Sequence, residues 1–214
     1  RIVWYTVKTP SIAKVILPDF CWNFSRNQKV IYLTFDDGPH PEITGWVLEL
    51  LSKYDSKATF FCVGENVKKF PSTIQALKAL GHAIGNHTFN HLNGWKTSKD
   101  EYLKNIRESD AAFEDISLKT NLFRPPYGKL NMASRSQLAN WNKKIVMWDV
   151  LSGDFDSKIT NEECLENVIR HTQNGSIIVF HDSLKAEAKL KFVLPKVLDY
   201  FSEKGFKFKA IEDN

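Results

Sequence analysis

The stretch YLTFDDGPH, residues 32–40, joins a strand-like run to a pair of adjacent carboxylates, and this junction sets the fold class. Residues 30–35 are β-branched and aromatic, which is typical of a buried strand. A Gly-Pro dipeptide then ends that strand in a turn. Asp36 and Asp37 are neighbouring like charges, whose burial is costly unless a cation or a donor compensates. One explanation is a solvated turn, in which Asp before Gly-Pro is common. The other is a site in which a cation compensates the two negative charges.

The composition is that of an ordinary globular protein. The chain has 214 residues, of which 43% are hydrophobic and 25% charged, so it can bury the core of one domain. The net charge of +4 is too small and too evenly spread to predict nucleic-acid binding. Three cysteines without a CxxC spacing do not make a disulfide framework. The apolar stretch of residues 2–17 is broken by charges and a proline, so it predicts neither a membrane span nor a signal-peptide core.

The chain alternates strand-like runs with helical patterns. Seven strand candidates share a short apolar run, and they are residues 30–35, 58–63, 82–85, 121–123, 145–150, 176–180 and 207–211. Helical patterns lie between them, near residues 42–53, 65–80, 98–114, 131–142, 160–172 and 187–203. This alternation predicts a parallel sheet, either open or closed into a barrel. Residues 1–28 stand outside the pattern, and we expect them to form an N-terminal extension packed on a domain of residues 29–214.

Ionisable residues cluster just after the strand candidates. In parallel α/β folds the functional side chains lie at the carboxyl ends of the strands, whether the sheet is open or closed. The residues at these positions are Asp36, Asp37, His87, His91, Arg124, Asp149, Asp154, His181 and Asp182. We therefore expect a functional site at this end of the sheet.

Two histidines in GNHTFNHLNG have the spacing of a metal-ligand pair. His87 and His91 are four residues apart, which would put both rings on one side of a helical turn. An isolated HxxxH is a weak signal, but one Asp with two His makes a catalytic zinc site with an open position for water. A bound metal would also remove the penalty of the adjacent carboxylates, because one Asp would ligate it and the other would stay free to take a proton.

Two further stretches supply charged side chains to the same end of the sheet. In LFRPPYGKL the Pro-Pro pair excludes a helix and can hold Arg124 toward the carboxylates, with a solvated arginine as the alternative. The turn that follows can present the backbone N–H of Tyr127 to an oxyanion. His181 ends the strand in SIIVFHDS, and Asp154 can set its tautomer. A lone histidine at a strand end is otherwise a hydrogen-bonded structural residue.

In order and spacing these motifs resemble those of the NodB-homology polysaccharide deacetylases, carbohydrate esterase family 4. TFDDGP, HTFNH, RPPYG and VFH are similar to four motifs of that family. The resemblance implies a distorted (β/α) barrel, here with seven strands. It implies that Asp36 is the catalytic base, that Arg124 pairs with it, and that His181 is the general acid tuned by Asp154.

The resemblance also implies a metal and a substrate. Asp37, His87 and His91 would bind a divalent metal, expected to be Zn²⁺, with Co²⁺, Ni²⁺ or Mn²⁺ as alternatives. The expected reaction removes N-acetyl groups from an N-acetylglucosamine polysaccharide, of the chitin-oligomer or peptidoglycan type, and releases acetate. The alternatives are an O-acetyl esterase on acetylated xylan, a small-molecule deacetylase and a non-catalytic carbohydrate-binding relative.

Some positions depart from the family's pattern. The fourth motif usually has Asp-x-x-Asp followed by Trp or a similar aromatic, whereas here Leu151 replaces the first Asp and Phe155 is the aromatic. Val179 stands where the fifth motif usually has Leu. Tyr127, Phe155 and Val179 are the expected substrate-binding residues, so these changes leave the identity of the substrate open.

The sequence leaves several other assignments open. Trp95, Trp148 and His40 either contact the substrate or pack elsewhere, and Asp149 and Asp182 are either partners of the site or simple caps. We expect an acetylated carbohydrate as partner, no nucleic acid and no membrane span. The oligomeric state is open, with a monomer favoured. No export signal is recognisable, and the expected location is the cytoplasm or the cell envelope, of bacterial type.

Overall fold

The computed structural model describes residues 5–213, which fold around one curled parallel sheet. The strands of these residues are β1 (Val30–Asp36), β2 (Thr59–Cys62), β3 (Ala83–Asn86), β4 (Leu122–Phe123), β5 (Lys144–Ile145), β6 (Val150–Leu151), β7 (Ile177–His181) and β8 (Lys207–Phe208). The order across the sheet is β5-β4-β3-β2-β1-β7-β6, and β8 pairs with β1. Neighbouring strands pair in parallel. This confirms the predicted β-α alternation.

The sheet curls because its two ends belong to one run of chain. β5 pairs with β4 at one end of the order, and β6 pairs with β7 at the other, yet only residues 146–149 separate them. A flat sheet of this order would hold its ends several strand spacings apart, each of about 4.8 Å. The prediction of a distorted (β/α) barrel is therefore confirmed, and the predicted strand of residues 145–150 is two short strands.

Helices pack around the sheet close to the predicted positions. Those of the described residues are α1 (Ser11–Ile16), α2 (Pro41–Lys53), α3 (Gly64–Lys69), α4 (Pro71–Ala79), α5 (Lys99–Glu114), α6 (Arg135–Asn140), α7 (Asn161–His171) and α8 (Glu187–Glu203). The helix predicted for residues 65–80 is divided because Pro71 cannot continue a helix and instead occupies the first position of the next one. Among residues 5–213, each helix is too short or too polar to span a bilayer.

Aromatic packing holds the central strands in register beneath the site. Phe35 of β1 lies with its ring centroid 4.9 Å from that of Phe60 and 6.1 Å from that of Phe180, and all three side chains are fully buried. Stacked pairs of this kind stabilise a core beyond the area that they bury. The central strand β1 is therefore rigidly placed where it delivers Asp36 to the carboxyl end of the sheet.

The N-terminal segment pairs with the run that joins the two ends of the sheet. The N–H of Thr9 donates to the carbonyl of Asp149 at 3.0 Å, and the N–H of Leu151 donates to the carbonyl of Val7 at 2.8 Å. Further along, Cys21 forms a parallel bridge with Val146. The domain boundary after residue 28 stays a prediction, and residues 1–4 of the predicted extension lie outside the described range.

Asp149 anchors the N-terminal segment, which decides against its being a partner of the site, one of the two roles that the sequence left open. The buried carboxylate accepts hydrogen bonds from Lys8 at 2.8 Å, Lys14 at 2.7 Å, Arg26 at 2.9 Å and Ser176 at 2.6 Å. The chain continues as a strand beyond Asp149, so this side chain lies at the amino end of the sheet with Ser176. Burial raises the pKa of Asp149, but its hydrogen bonds to the three cations hold that pKa well below its usual range.

Replacing Asp149 is expected to destabilise the protein without touching the functional site. Asp149→Ala removes the shared partner of three partly exposed cations. We expect the free energy of unfolding, measured by urea titration at neutral pH, to fall by about 2–4 kcal/mol. Because the pKa of Asp149 is depressed on folding, this stabilisation is present above about pH 4 and is lost as the pH falls further. Glu49→Ala, on the exposed face of α2, is the control. Equal effects of the two substitutions would contradict the anchoring role.

Candidate functional site

The strand ends bring most of the predicted residues to one cavity. Asp36, the last residue of β1, is in register with His181, the last residue of β7. The cavity at these ends has a volume of about 460 Å³. Predicted site residues that line it are Asp36, Asp37, His87, His91, Tyr127, Phe155, Val179 and His181. Its other lining residues are Tyr5, Lys129, Trp148, Leu151 and Lys185.

Asp37, His87 and His91 form a candidate metal site. One ligand atom from each lies within 4.8 Å of the other two. Oδ1 of Asp37 is 3.1 Å from Nε2 of His91 and 3.8 Å from Nε2 of His87. This oxygen is buried and accepts no hydrogen bond. Two imidazoles and one carboxylate are a donor set that zinc uses in catalytic sites.

The protonation of His87 also fits a metal ligand. Its Nδ1 lies 2.8 Å from the carbonyl oxygen of Arg124, which can only accept, so Nδ1 carries the proton. Nε2 therefore directs a lone pair toward Asp37, an arrangement that is favourable when a cation lies between the two groups. Burial lowers the pKa of His87 to about 4, so the ring is neutral at neutral pH. A neutral imidazole with its second nitrogen hydrogen-bonded to a carbonyl is the usual form of a histidine ligand.

The two histidines lie on a loop, and the prediction of a helical turn is wrong. Thr88 and His91 have φ values of 64° and 59°, in the left-handed region. Side chains hold the loop in this shape, since Oδ1 of Asn86 accepts from the N–H of Thr88 at 2.7 Å and Oδ1 of Asn105 accepts from the N–H of Phe89 at 2.9 Å. The resulting ring centroids of His87 and His91 are 5.1 Å apart.

A second buried carboxyl holds the loop that carries Asp37. Oδ1 of Asp182 accepts from the N–H of Gly38 at 3.1 Å, and Oδ2 accepts from the hydroxyl of Thr44. A side chain at position 38 would collide with this carboxyl, since a Cβ there would lie 2.2 Å from it. Burial raises the pKa of Asp182 to about 7. Asp182 is therefore a partner of the site, which answers a question that the sequence left open.

Asp37 itself stays ionised in this setting. Burial raises the pKa of Asp37, but the pairing with His91 and the nearby positive charge of His181 outweigh burial and hold it well below the usual range. Asp37 also has a left-handed φ of 80°, and Asn66 donates to its carbonyl at 2.8 Å. The carboxylate is thus available as a ligand over the whole neutral range.

Arg124 is fully buried beneath the cavity and pairs with Asp36. Its Nη1 donates to Oδ1 of Asp36 at 2.7 Å and to Oγ1 of Thr34 at 2.7 Å. Nε and Nη2 donate to the carbonyls of Val146 and Met147 at 3.1 and 2.9 Å. Every nitrogen of the guanidinium is therefore engaged, and the alternative of a solvated arginine is excluded. The pair leaves Oδ2 of Asp36 directed toward the candidate metal site, 4.0 Å from Nε2 of His87.

His181 and Asp154 form a second tight pair at the cavity. Nδ1 of His181 lies 2.7 Å from Oδ1 of Asp154, and the backbone N–H of His181 donates to Oδ2 at 2.7 Å. Burial lowers the pKa of His181, but the charge and the hydrogen bond of Asp154 outweigh burial and raise this pKa to about 9. The ring is therefore protonated at neutral pH, with Nε2 as the nitrogen that can reach a substrate.

The remaining predicted residues divide between the cavity and other roles. Tyr127 sits in a turn with φ 60°, and its ring lies edge-on to His91 with centroids 4.6 Å apart. Trp148 lines the cavity. Trp95, whose side chain is 71% exposed, does not. His40 caps the N-terminus of α2, where Nδ1 accepts from a backbone N–H.

Three residues that line the cavity were not predicted from the sequence. Lys129 directly follows the RPPYG motif, and Lys185 closely follows His181, so proximity to a motif was a usable signal for both. Tyr5 had no such signal, because it lies in the segment outside the β-α alternation. Only the pairing of that segment with residues 149–151 brings its ring to the cavity.

Known proteins share both the sequence pattern and the fold. The family described as polysaccharide deacetylase matches residues 24–146, more than half of the chain. A peptidoglycan-N-acetylglucosamine deacetylase of Bacillus cereus is 32% identical over 193 residues, 90% of this chain and 91% of the relative. A chitooligosaccharide deacetylase of Azorhizobium caulinodans is 37% identical over 164 residues, 74% of this chain and 76% of the relative.

A solved structure extends the similarity to nearly the whole chain. It is the crystal structure of a peptidoglycan N-acetylglucosamine deacetylase in complex with 4-naphthalen-1-yl-N-oxidanyl-benzamide. The TM-score is 0.87 at 30% sequence identity, and the match covers 95% of each chain.

Proposed function

The chain belongs to the polysaccharide deacetylase family, and on that premise we propose that it is a metal-dependent hydrolase that removes N-acetyl groups from an N-acetylglucosamine polysaccharide. Membership confirms the resemblance stated from the motifs and the expectation of a polysaccharide deacetylase. The observation that carries the finer proposal is the convergence of three groups in one cavity. These are the candidate metal ligands, a carboxylate held by a buried arginine, and a protonated histidine held by an aspartate.

The proposed substrate follows from the relatives and from the shape of the site. The names of the relatives specify the N-acetylglucosamine of peptidoglycan in one case and chitooligosaccharides in the other. Both are chains of N-acetylated sugars. A cavity of about 460 Å³ with aromatic walls is large enough to take a sugar ring with its acetamide group.

Asp37, His87 and His91 are the residues proposed to hold the divalent metal, expected to be Zn²⁺. When bound, such a metal supplies a Lewis acid for the acetamide carbonyl and lowers the pKa of a coordinated water to about 7. The buried, hydrogen-bond-free oxygen of Asp37 and the lone pair of His87 that faces it support this assignment.

The protein's own groups then provide the proton transfers. Asp36, with Oδ1 held by Arg124, takes the proton of the attacking water on Oδ2. The backbone N–H of Tyr127 donates to the carbonyl oxygen as that oxygen gains negative charge. His181, with Nδ1 held by Asp154, gives the proton on Nε2 to the departing amine. The products are acetate and a free amino sugar.

A substrate panel tests this proposal. Acetate release is measured on N-acetylglucosamine oligomers, peptidoglycan and acetylated xylan, with metal content determined on the same sample. We expect release from the first two. Release from acetylated xylan alone would instead assign an O-acetyl esterase, and binding to these glycans without any release would assign a non-catalytic relative.

Removal of the proposed general acid is expected to slow the reaction strongly. His181→Ala should lower kcat by about 10²–10⁴-fold, because the amine then leaves without a positioned proton donor. His171→Ala is the matched control, since this helical histidine lies outside the cavity. A kcat near that of the wild type for His181→Ala would assign the acid to another group.

The pH profile should report the same histidine. The proposed acid works only while it is protonated, so kcat is expected to fall as the pH rises through about 9. Asp154→Asn removes the charge that raises this pKa, and the fall should then begin at a lower pH. An unchanged alkaline limb in Asp154→Asn would contradict the pairing as the cause of the shift.

Organisation and location complete the proposal. We propose that residues 29–214 form the catalytic domain, that residues 1–28 pack on it, and that the protein acts as a monomer. If peptidoglycan is the substrate, the cell envelope is where the reaction takes place.

A further inference from the structure

The N-terminal segment places an aromatic ring at the cavity. Tyr5 lies just before the residues that pair with the closing run of the sheet, and it lines the cavity together with His181 and Phe155. The segment is firmly attached there, since the hydroxyl of Thr9 also donates to the carbonyl of Trp148 at 2.7 Å. Tyr5 is therefore carried by a fixed part of the chain.

Three contacts hold the side chain of Tyr5 against the loop of residues 153–156. Its ring centroid lies 5.2 Å from that of Phe155, at an interplanar angle of 55°. Its hydroxyl donates to Oδ2 of Asp156 at 3.2 Å. The hydroxyl also approaches Gly153 so closely that a Cβ at this position would lie 2.7 Å from it. The ring and the hydroxyl of Tyr5 are therefore both held against this loop.

The position of Tyr5 relative to the chemistry follows from its neighbour. Phe155 lies edge-on to His181, with ring centroids 5.1 Å apart, and both side chains line the cavity. Phe155 contacts His181 and Tyr5 contacts Phe155, so the ring of Phe155 connects Tyr5 to the proposed acid. Lys185 stands on the same wall, with Nζ 5.7 Å from the centroid of Phe155. Phe155 and Tyr5 therefore form a continuous aromatic surface beside the proposed acid.

We propose that Tyr5, together with Phe155, forms a subsite for the sugar next to the one that is deacetylated. The proposal rests on the proposed function. A tyrosine offers an apolar ring face for the C–H face of a pyranose at a small cost in conformational entropy, and its hydroxyl stays hydrogen-bonded to Asp156. The N-terminal segment therefore takes part in substrate binding as well as in stability.

The test compares substrates of different length on three variants. For Tyr5→Ala, kcat/KM on N-acetylglucosamine tetrasaccharide and pentasaccharide is expected to fall by about 3- to 10-fold, mainly through KM. N-acetylglucosamine itself should lose less than about 2-fold, because a single sugar leaves the neighbouring subsite empty. Tyr5→Phe keeps the ring and removes the bond to Asp156, and it should behave like the wild type on all lengths.

Thr9→Val is the matched control for attachment of the segment. It removes the bond to Trp148 but keeps the ring of Tyr5, so it should lower the melting temperature without any dependence on substrate length. The inference is overturned if Tyr5→Ala affects all lengths equally or none of them, or if Thr9→Val reproduces the length dependence. A wild type that releases no acetate from any oligomer would contradict the proposed function itself, which is a separate outcome.

Discussion

Asp36→Asn is expected to reduce acetate release by about 10⁴-fold while the metal content stays that of the wild type. An asparagine can still accept from Arg124 through its amide oxygen, but it cannot take a proton from water. No substitute base is at hand among the described residues that line the cavity, because the only other carboxylate there is Asp37, a proposed metal ligand. The loss should therefore lie at the upper end of the range for general-base catalysis.

The measurement combines initial rates with metal analysis and a melting curve on the same sample. The melting curve is needed because Arg124 is fully buried and loses a charged partner, a change that can cost a few kcal/mol of stability. Asp156→Asn is the matched control, since this carboxylate lies near the site but does not line the cavity. Activity above about 1% of the wild type in folded, metal-loaded Asp36→Asn would assign the base elsewhere.

The two adjacent aspartates have different surroundings because β1 ends between them. Asp36 is the last residue of β1, so its side chain points to the buried guanidinium of Arg124. Asp37 is the first residue of the loop and turns with a φ of 80° toward His91 and His87. Two like charges in sequence are thereby paired with different cationic or metal-binding partners. This arrangement accounts for the pair that a simple turn would leave unexplained.

The sequence predicted most of the fold because strand and helix periods are local properties. All seven strand runs and the helical patterns lie close to the observed elements. The division of residues 145–150 into β5 and β6 could not be read from the pattern, because it depends on which strands stand at the two ends of the sheet. The same closure determines that Asp149 points away from the site, toward Lys8, Lys14 and Arg26.

The candidate site was predictable where a motif carries its own geometry. The strand ends brought Asp36 and His181 into register as expected. The spacing of His87 and His91 correctly predicted that their rings lie close together. The helical turn inferred from that spacing was wrong, because a loop held by Asn86 and Asn105 brings the rings together instead. Tyr5 could not be predicted, because only the tertiary pairing of the N-terminal segment with residues 149–151 brings it to the cavity.

Removal of the divalent metal is expected to abolish acetate release, and resupplied Zn²⁺ should restore it. Without a cation, the carboxylate of Asp37 lies close to two imidazole nitrogens, and none of the described residues that line the cavity supplies a Lewis acid. The ligands converge only in the folded protein, so metal loading should also raise the melting temperature by mass action. Chelator-treated protein is therefore expected to be folded, less stable and inactive.

A pair of histidine variants separates this site from general effects of histidine loss. His87→Gln removes a proposed ligand and should lower the metal content, the melting-temperature shift on metal addition and the rate together. His82→Gln removes a buried histidine outside the cavity, whose Nδ1 accepts from the N–H of Ala58, and it should keep normal metal content even if it melts earlier. Full activity after exhaustive chelation, with no metal bound, would contradict the metal site. Loss of metal from both variants alike would show that folding alone, and not His87 as a ligand, governs metal binding.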